Sequence, residues 1–138
     1  MADAIKGKNT KFNIGTSKVS LMGTWGMTGV TTDILEKTEF GDDWKQFEVG
    51  LKDGGQITVS GFYDPTDSSG QDALRTANLN DTEMTTIRLY IDSTSYWTPK
   101  TTNPASYCLV TDWDINSDVA GLVSASFTLK VSGALELI

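Results

Sequence analysis

The chain has 138 residues, 38% hydrophobic and 21% charged, with a formal net charge of −7, one cysteine and no histidine. That length and composition fit one globular domain with its own core and exclude a disordered chain. Without histidine, and with Cys108 alone, Ser–His–Asp and Cys–His catalysis, the common zinc sites and an internal disulfide are all excluded.

The chain opens MADAIKGKNT, which lacks the apolar centre of a secretory signal, so synthesis and use without export is expected. No apolar run reaches the roughly 18 residues of a membrane helix, so no membrane partner is expected. Charge is uneven. Residues 1–30 hold four lysines and one aspartate, residues 31–54 seven acidic and three basic residues, and residues 55–138 ten acidic and four basic. An acidic chain makes few phosphate contacts. It could line a passage through which a polyanion slides, or the charge could serve solubility alone. The basic start reads most simply as a solvated tail.

Strand signals dominate. KFNI puts Phe12 and Ile14 on one face, and KVSLMGTW puts Val19 and Leu21 together. Residues 26–50 then show weak periodicity, and a structureless loop of that length in a compact domain is unusual unless functional. Within FGDDWKQFEVGLKDG, residues 40–54, large aromatics sit among six charged residues. Ile34, Leu35, Phe40, Trp44 and Phe47 are candidate anchors inside an acidic rim, which is the anatomy of an interface. A projecting arm or long hairpin packed on a neighbouring copy would cover them. Asp53-Gly54-Gly55 reads as a hairpin turn, and QITVSGFY puts Ile57 and Val59 together.

One helix is expected in DPTDSSGQDALRTANL, with Thr66, Asp67 or Ser68 as N-cap and Asp72 in an early turn. Ala73, Leu74 and Ala77 form its apolar stripe, and Asn78 or Asn80 ends it. TTIRLYID turns Ile87, Leu89 and Ile91 inward and Arg88 and Tyr90 outward. STSYWTPKTTNPAS reads as a loop, with Trp97 either packed beneath it or facing a partner. YCLVTDWDIN alternates Leu109, Thr111, Trp113 and Ile115 against Val110, Asp112, Asp114 and Asn116. Cys108 in that run reads as a buried, inert thiol. Finally LVSASFTLKVSGALEL alternates over fifteen residues, with Val123, Ala125, Phe127, Leu129 and Val131 on one face and Ser124, Ser126, Thr128 and Lys130 on the other. Gly133 marks a bend or bulge. The fold class is mainly β: an antiparallel sandwich or partly open barrel with one short flanking helix and a long projecting loop.

No motif completes a catalytic or metal site. DWDINSD offers Asp112, Asp114, Asn116 and Asp118 at calcium-loop spacing, but Ser117 stands where glycine is required and Val123 where the bidentate glutamate belongs. An acidic strand face explains the run better. Asp42/Asp43 and Asp112/Asp114 have no spacing that fixes a glycosidase pair. No enzyme activity and no cofactor is expected.

The order TEFGDDWKQFEVGLKDGGQITVSGFYDPTDSSGQDALR, TIRLYI, YCLVTDWDI, SASFTLKVSGALEL resembles the major tail tube proteins of long flexible-tailed bacteriophages, from about residue 12 to the end. The resemblance implies a small β-sandwich with a flanking helix, one domain over residues 1–138. Copies would form hexameric rings that stack head to tail into a hollow tube, with tail tip and terminator proteins as further partners. The sheets of a ring would join into an inner barrel, and the genome DNA would pass without specific binding. Assembly in the host cytoplasm and residence in the virion tail follow. Residues 28–47 would be the inter-ring arm. Asp112, Asp114, Asn116, Ser124, Ser126 and Thr128 are candidates for the lumen. A tube protein of a contractile or type VI secretion apparatus is the alternative within this architecture. Outside it, the alternative is a carbohydrate-binding sandwich using Trp97 and Trp44.

Overall fold

The computed structural model describes residues 4–138; of the basic N-terminal segment, residues 1–3 lie outside the described residues. A short 3-10 turn, Gly7–Asn9, leads into nine strands and one helix: β1 Lys11–Ile14, β2 Ser17–Lys18, β3 Met22–Glu36, β4 Phe47–Phe62, α1 Gln71–Leu79, β5 Ile87–Tyr90, β6 Tyr96–Pro99, β7 Tyr107–Asn116, β8 Ser124–Ser132 and β9 Leu135–Leu137. They form two antiparallel sheets. One has five strands in the order β2-β1-β5-β6-β9, and the other four in the order β3-β4-β8-β7. The sandwich is as expected, and neither sheet closes into a barrel.

Alternation builds the core. Phe12 from β1, Ile57 and Val59 from β4, Ile87 and Leu89 from β5, and Phe127 and Leu129 from β8 are all buried. Each lies one residue from a partner on the opposite face, as period-two strands require. Helix α1 closes one side, burying Gln71, Leu74 and Ala77. It begins later than the sequence suggested. Gly70 occupies the N-cap, and Asp67 Oδ2 instead accepts hydrogen bonds from the Gln71 and Ser20 backbone N–H groups. Gln71, not an apolar residue, is the pin beneath the helix: its Nε2 donates to the Ser20 and Phe62 carbonyls and its Oε1 accepts from the Asp64 N–H.

Several expectations are corrected. Val19 is buried but Leu21 is exposed with φ of 60°, because a turn there separates β2 from β3. Asp53-Gly54-Gly55 is no hairpin turn; it lies inside β4, where Val30 and Thr31 pair with Gly54 and Asp53. Trp97 belongs to strand β6 and packs against the core rather than riding a loop. Tyr90, expected outward, is largely covered by the Lys11 ammonium, 4.6 Å from its ring centroid, and by Tyr96. The simple alternation expected for β7 is broken at Thr111, where the register with β8 slips by one residue. Cys108 and Val110 therefore point inward before the slip, and Trp113 and Ile115 take the inner face after it. Trp113 remains half-exposed, with its Nε1 donating to Asn78 Oδ1 of α1. Cys108 is fully buried, and burial pushes its thiol pKa up to about 12, so it is inert as expected.

The long C-terminal strand is two strands. Gly133, with φ of 97°, turns the chain out of the four-stranded sheet and into the five-stranded one. A Cβ at that position would collide with Ser106 Oγ, the acceptor for the Ala134 N–H. One segment thus stitches the two layers together.

Candidate functional site

Two features of the four-stranded sheet stand out. The first is its outer face. Directly opposed residues in antiparallel strands share a face. On β7 and β8, Asp112 opposes Thr128, Asp114 opposes Ser126 and Asn116 opposes Ser124. All six lumen candidates are therefore brought onto one surface. The surface continues inward along the sheet: Ser126 opposes Ser60 and Thr128 opposes Thr58 on β4, and those oppose Thr24 and Gly26 on β3. The result is a hydroxyl-rich field with two carboxylates and an amide at one margin. Lys130, at its border, is held by Asp53 at 2.7 Å. That hydrogen bond and the Gly55 N–H keep the Asp53 carboxyl below its ordinary value. Sequence reasoning missed the β4 and β3 share of this face, which needs the register to be seen.

The second feature is the arm. Beyond Gln56 the ladder between β4 and β8 ends and only β3 pairs with β4, although Asp53 still bonds Lys130 and Gly54 still packs on Gly133. Residues 30–36 and 47–54 thus continue past the β8 ladder as a two-stranded ribbon. At about 3.3 Å per residue the ribbon extends roughly 23 Å. The arm is a hairpin, not a structureless loop. Its joint is made by Gly29 and Gly55, with φ of 78° and 82°. Gly55 leaves no room for a side chain, since a Cβ would collide with the Thr28 carbonyl oxygen and lie 2.9 Å from the Val30 nitrogen. The tip, residues 37–46, is closed by the Lys37 N–H donating to the Gln46 carbonyl and by Asp42 Oδ2 accepting from the Glu39 N–H. Lys37 and Glu48 form an ion pair of 3.1 Å.

The register sorts the predicted anchors. Ile34 opposes Val49 and Glu36 opposes Phe47, so Ile34, Phe47 and Val49 share one face of the ribbon. Leu35 opposes Glu48 on the reverse face. Phe40 and Trp44 occupy the tip, the former fully exposed and the latter 84% exposed. Val30, Val49 and Leu51 are exposed members of the arm that the sequence reading passed over. A bare ribbon of two strands is at best marginally stable in water, and monomeric soluble domains rarely expose large contiguous apolar patches.

The opposite end of the sheet is also apolar. There the loop 117–123 joins β7 to β8, and Val119, Leu122, Phe62 and Leu21 are exposed. Phe62 N–H donates to the Leu21 carbonyl and Tyr63 N–H to that of Val123, which ties these segments into one rim. Among the described residues, β3 over residues 22–28 has no strand neighbour on its outer side, and β7 is open only over residues 111–116: nearer its start, Cys108 exchanges two backbone hydrogen bonds with Met84, and Asn78 Nδ2 donates to the Val110 carbonyl. Among the described residues no cluster of three or more His, Cys, Asp or Glu side chains is arranged to hold a metal ion, and no helix is long and apolar enough to cross a membrane.

No protein-family model and no curated protein sequence matches the chain. Solved structures do. A chain of the virion of a native gene transfer agent particle superposes with a TM-score of 0.75 at 13% identity, covering 98% of this chain and 99% of that one. A chain in the sheath/tube terminator of an extracellular contractile injection system gives 0.74 at 14% identity, covering 99% and 98%. A chain of the SPP1 tail tube gives 0.62 at 16% identity, covering 97% and 78%. The fold is that of tail tube proteins.

Proposed function

We propose that the chain is a structural subunit of a bacteriophage tail tube, one that forms hexameric rings stacked head to tail around a DNA channel. The observation that carries the reading is the architecture of the four-stranded sheet. It has a hydroxyl-rich face, lateral edges open over residues 22–28 and 111–116, and an apolar arm at the end opposite an apolar rim.

Each part has a mechanical role. Open edges of a sheet recruit strands from other chains. Pairing β3 of one copy with β7 of the next joins the sheets laterally. A particle of the gene transfer agent type is described with C6 symmetry. Six four-stranded sheets then make a barrel whose circumference, at about 4.8 Å per strand, is roughly 115 Å, and whose diameter is roughly 37 Å before strand tilt widens it. That leaves a channel wide enough for a DNA duplex. A face of serines, threonines and aspartates turned inward offers phosphates water and repulsion, with no cation field to hold them. The arm then spans to the next ring, where burial of Phe40, Trp44, Ile34 and Phe47 supplies stacking energy. Because the arm meets a different surface on the next copy, the contact is heterologous and extends without closing.

A tube of a contractile injection system has the same fold and is the second reading, favoured by the match to that apparatus. A carbohydrate-binding module is disfavoured, because Trp97, one of the two tryptophans it would use, packs against the core and leaves only Trp44 of that pair exposed, at the arm tip. The test is assembly of the purified chain followed by electron microscopy. Hollow stacks of rings support the tube, and a persistent monomer that binds glycans overturns it.

A further inference from the structure

We infer that the acidic arm tip of one copy seats in a lysine-lined cleft at the far end of a second copy. The inference rests on the tube reading and names the receptor that the reading leaves open. The cleft, about 250 Å³, lies between the N-terminal segment and the start of β3, and its walls include Lys8, Lys11, Lys18, Met22 and Trp25. Residues 4–25 hold four lysines and no acidic residue in a chain that is otherwise acidic. None of these lysines forms an ion pair among the described residues. The carboxylate bonded to this segment, Asp67, is already engaged by the Ser20 and Gln71 N–H groups.

The tip is the complement. Setting aside the Lys37–Glu48 pair, it carries Glu39, Asp42 and Asp43 against Lys45 alone, around two exposed aromatic rings. Phe40 and Trp44 match the apolar side of the cleft, which Phe12, Val19, Met22 and Trp25 line. A copy does not fill its own cleft. Met22 and Glu36 lie at opposite ends of β3, and fourteen residue steps at about 3.3 Å hold them roughly 46 Å apart along the strand. The occupant is therefore a second copy. Opposite charges around an apolar centre fix register and suppress wrong partners, which is what a stack with one direction requires.

Charge reversal on each side, then on both, tests the pairing. Glu39→Lys with Asp43→Lys reverses the tip and spares Asp42, which closes its turn. Lys8→Glu with Lys18→Glu reverses the cleft and spares Lys11, which covers Tyr90. Sedimentation at about 0.1 M salt, where charges interact over about 10 Å, reads the protein concentration at which half the chain is assembled. Each one-sided variant is expected to raise that concentration at least about tenfold, and the four-site variant to return it to near the wild-type value. Zero-length carbodiimide crosslinking of wild-type assemblies is expected to join Glu39 or Asp43 of one copy to Lys8 or Lys18 of another. One-sided variants that assemble like wild type, or assemblies whose tip carboxylates crosslink elsewhere, overturn the inference while leaving the tube intact. A wild-type chain that forms neither rings nor tubes overturns the tube reading, and this inference with it.

Discussion

Truncating Trp44 to alanine separates the two roles open to a large apolar side chain. Its indole is 84% exposed and sits on the arm tip, remote from the core. A tryptophan that goes from exposed to covered removes about 150–250 Å² from water. At about 25 cal/mol per Å² this is a ceiling of roughly 4–6 kcal/mol, and measured losses at such anchors run at about 2–4 kcal/mol. With tenfold per 1.4 kcal/mol, the concentration needed for stacking rises roughly 30- to 700-fold. The folded monomer, by contrast, changes by no more than about 0.5 kcal/mol, as is usual for an exposed side chain. Thermal melting by circular dichroism and sedimentation of the same sample give the two numbers. A variant that melts several degrees early refutes the reasoning, because Trp44 would then support its own chain. So does a variant that assembles at wild-type concentration.

Four other outcomes follow from the same geometry. Gln71→Leu strands the Ser20 and Phe62 carbonyls and the Asp64 N–H that Gln71 now satisfies, so urea unfolding should show a loss of about 2 kcal/mol or more. Leu74→Ala opens a cavity beneath α1, at a fully buried site, and should lower stability by about 2–5 kcal/mol in the same assay. The carboxyls of Asp53, Asp64 and Asp92 are held below their ordinary value of 3.8, in each case first by a hydrogen bond, from Lys130, Thr66 and the Ser95 N–H respectively. Their folded values are depressed, so their contribution is present above about pH 4 and lost as pH falls through the lowered values; Asp92→Asn should flatten the acid limb of a plot of melting temperature against pH. Asp112→Lys with Asp114→Lys should leave tubes intact but make them retain DNA in a salt-dependent manner, by filter binding, where wild-type tubes release it.

The legible parts of this protein are those set by local alternation. Ile57 and Val59, Ile87 and Leu89, and Phe127 and Leu129 announce their burial because each alternates with polar neighbours on the same strand. What was not legible depends on pairing between distant segments. The hairpin of β3 and β4 looked weakly periodic because it bears apolar side chains on both faces, Ile34 on one and Leu35 on the other, with no core to select between them. Asp53-Gly54-Gly55 imitates a turn because its glycines serve a joint in mid-strand, where Gly55 meets Gly29. The slip at Thr111 moves Val110 to the inner face while leaving Trp113 and Ile115 there, and no single-strand period reveals it. Phe40 and Trp44 were readable as exposed because nothing nearby in the chain offered them cover. The hydroxyl face was half readable: Ser124, Ser126 and Thr128 alternate visibly, whereas Thr58, Ser60 and Thr24 join them only through register.

The most direct test of the central claim is electron cryomicroscopy of the concentrated, purified chain. The account predicts hollow tubes of stacked sixfold rings, with Asp114, Ser126 and Ser60 lining the channel and the arm crossing to the next ring. A chain that stays monomeric at every concentration, or a tube with that hydroxyl-rich face turned outward, would contradict it.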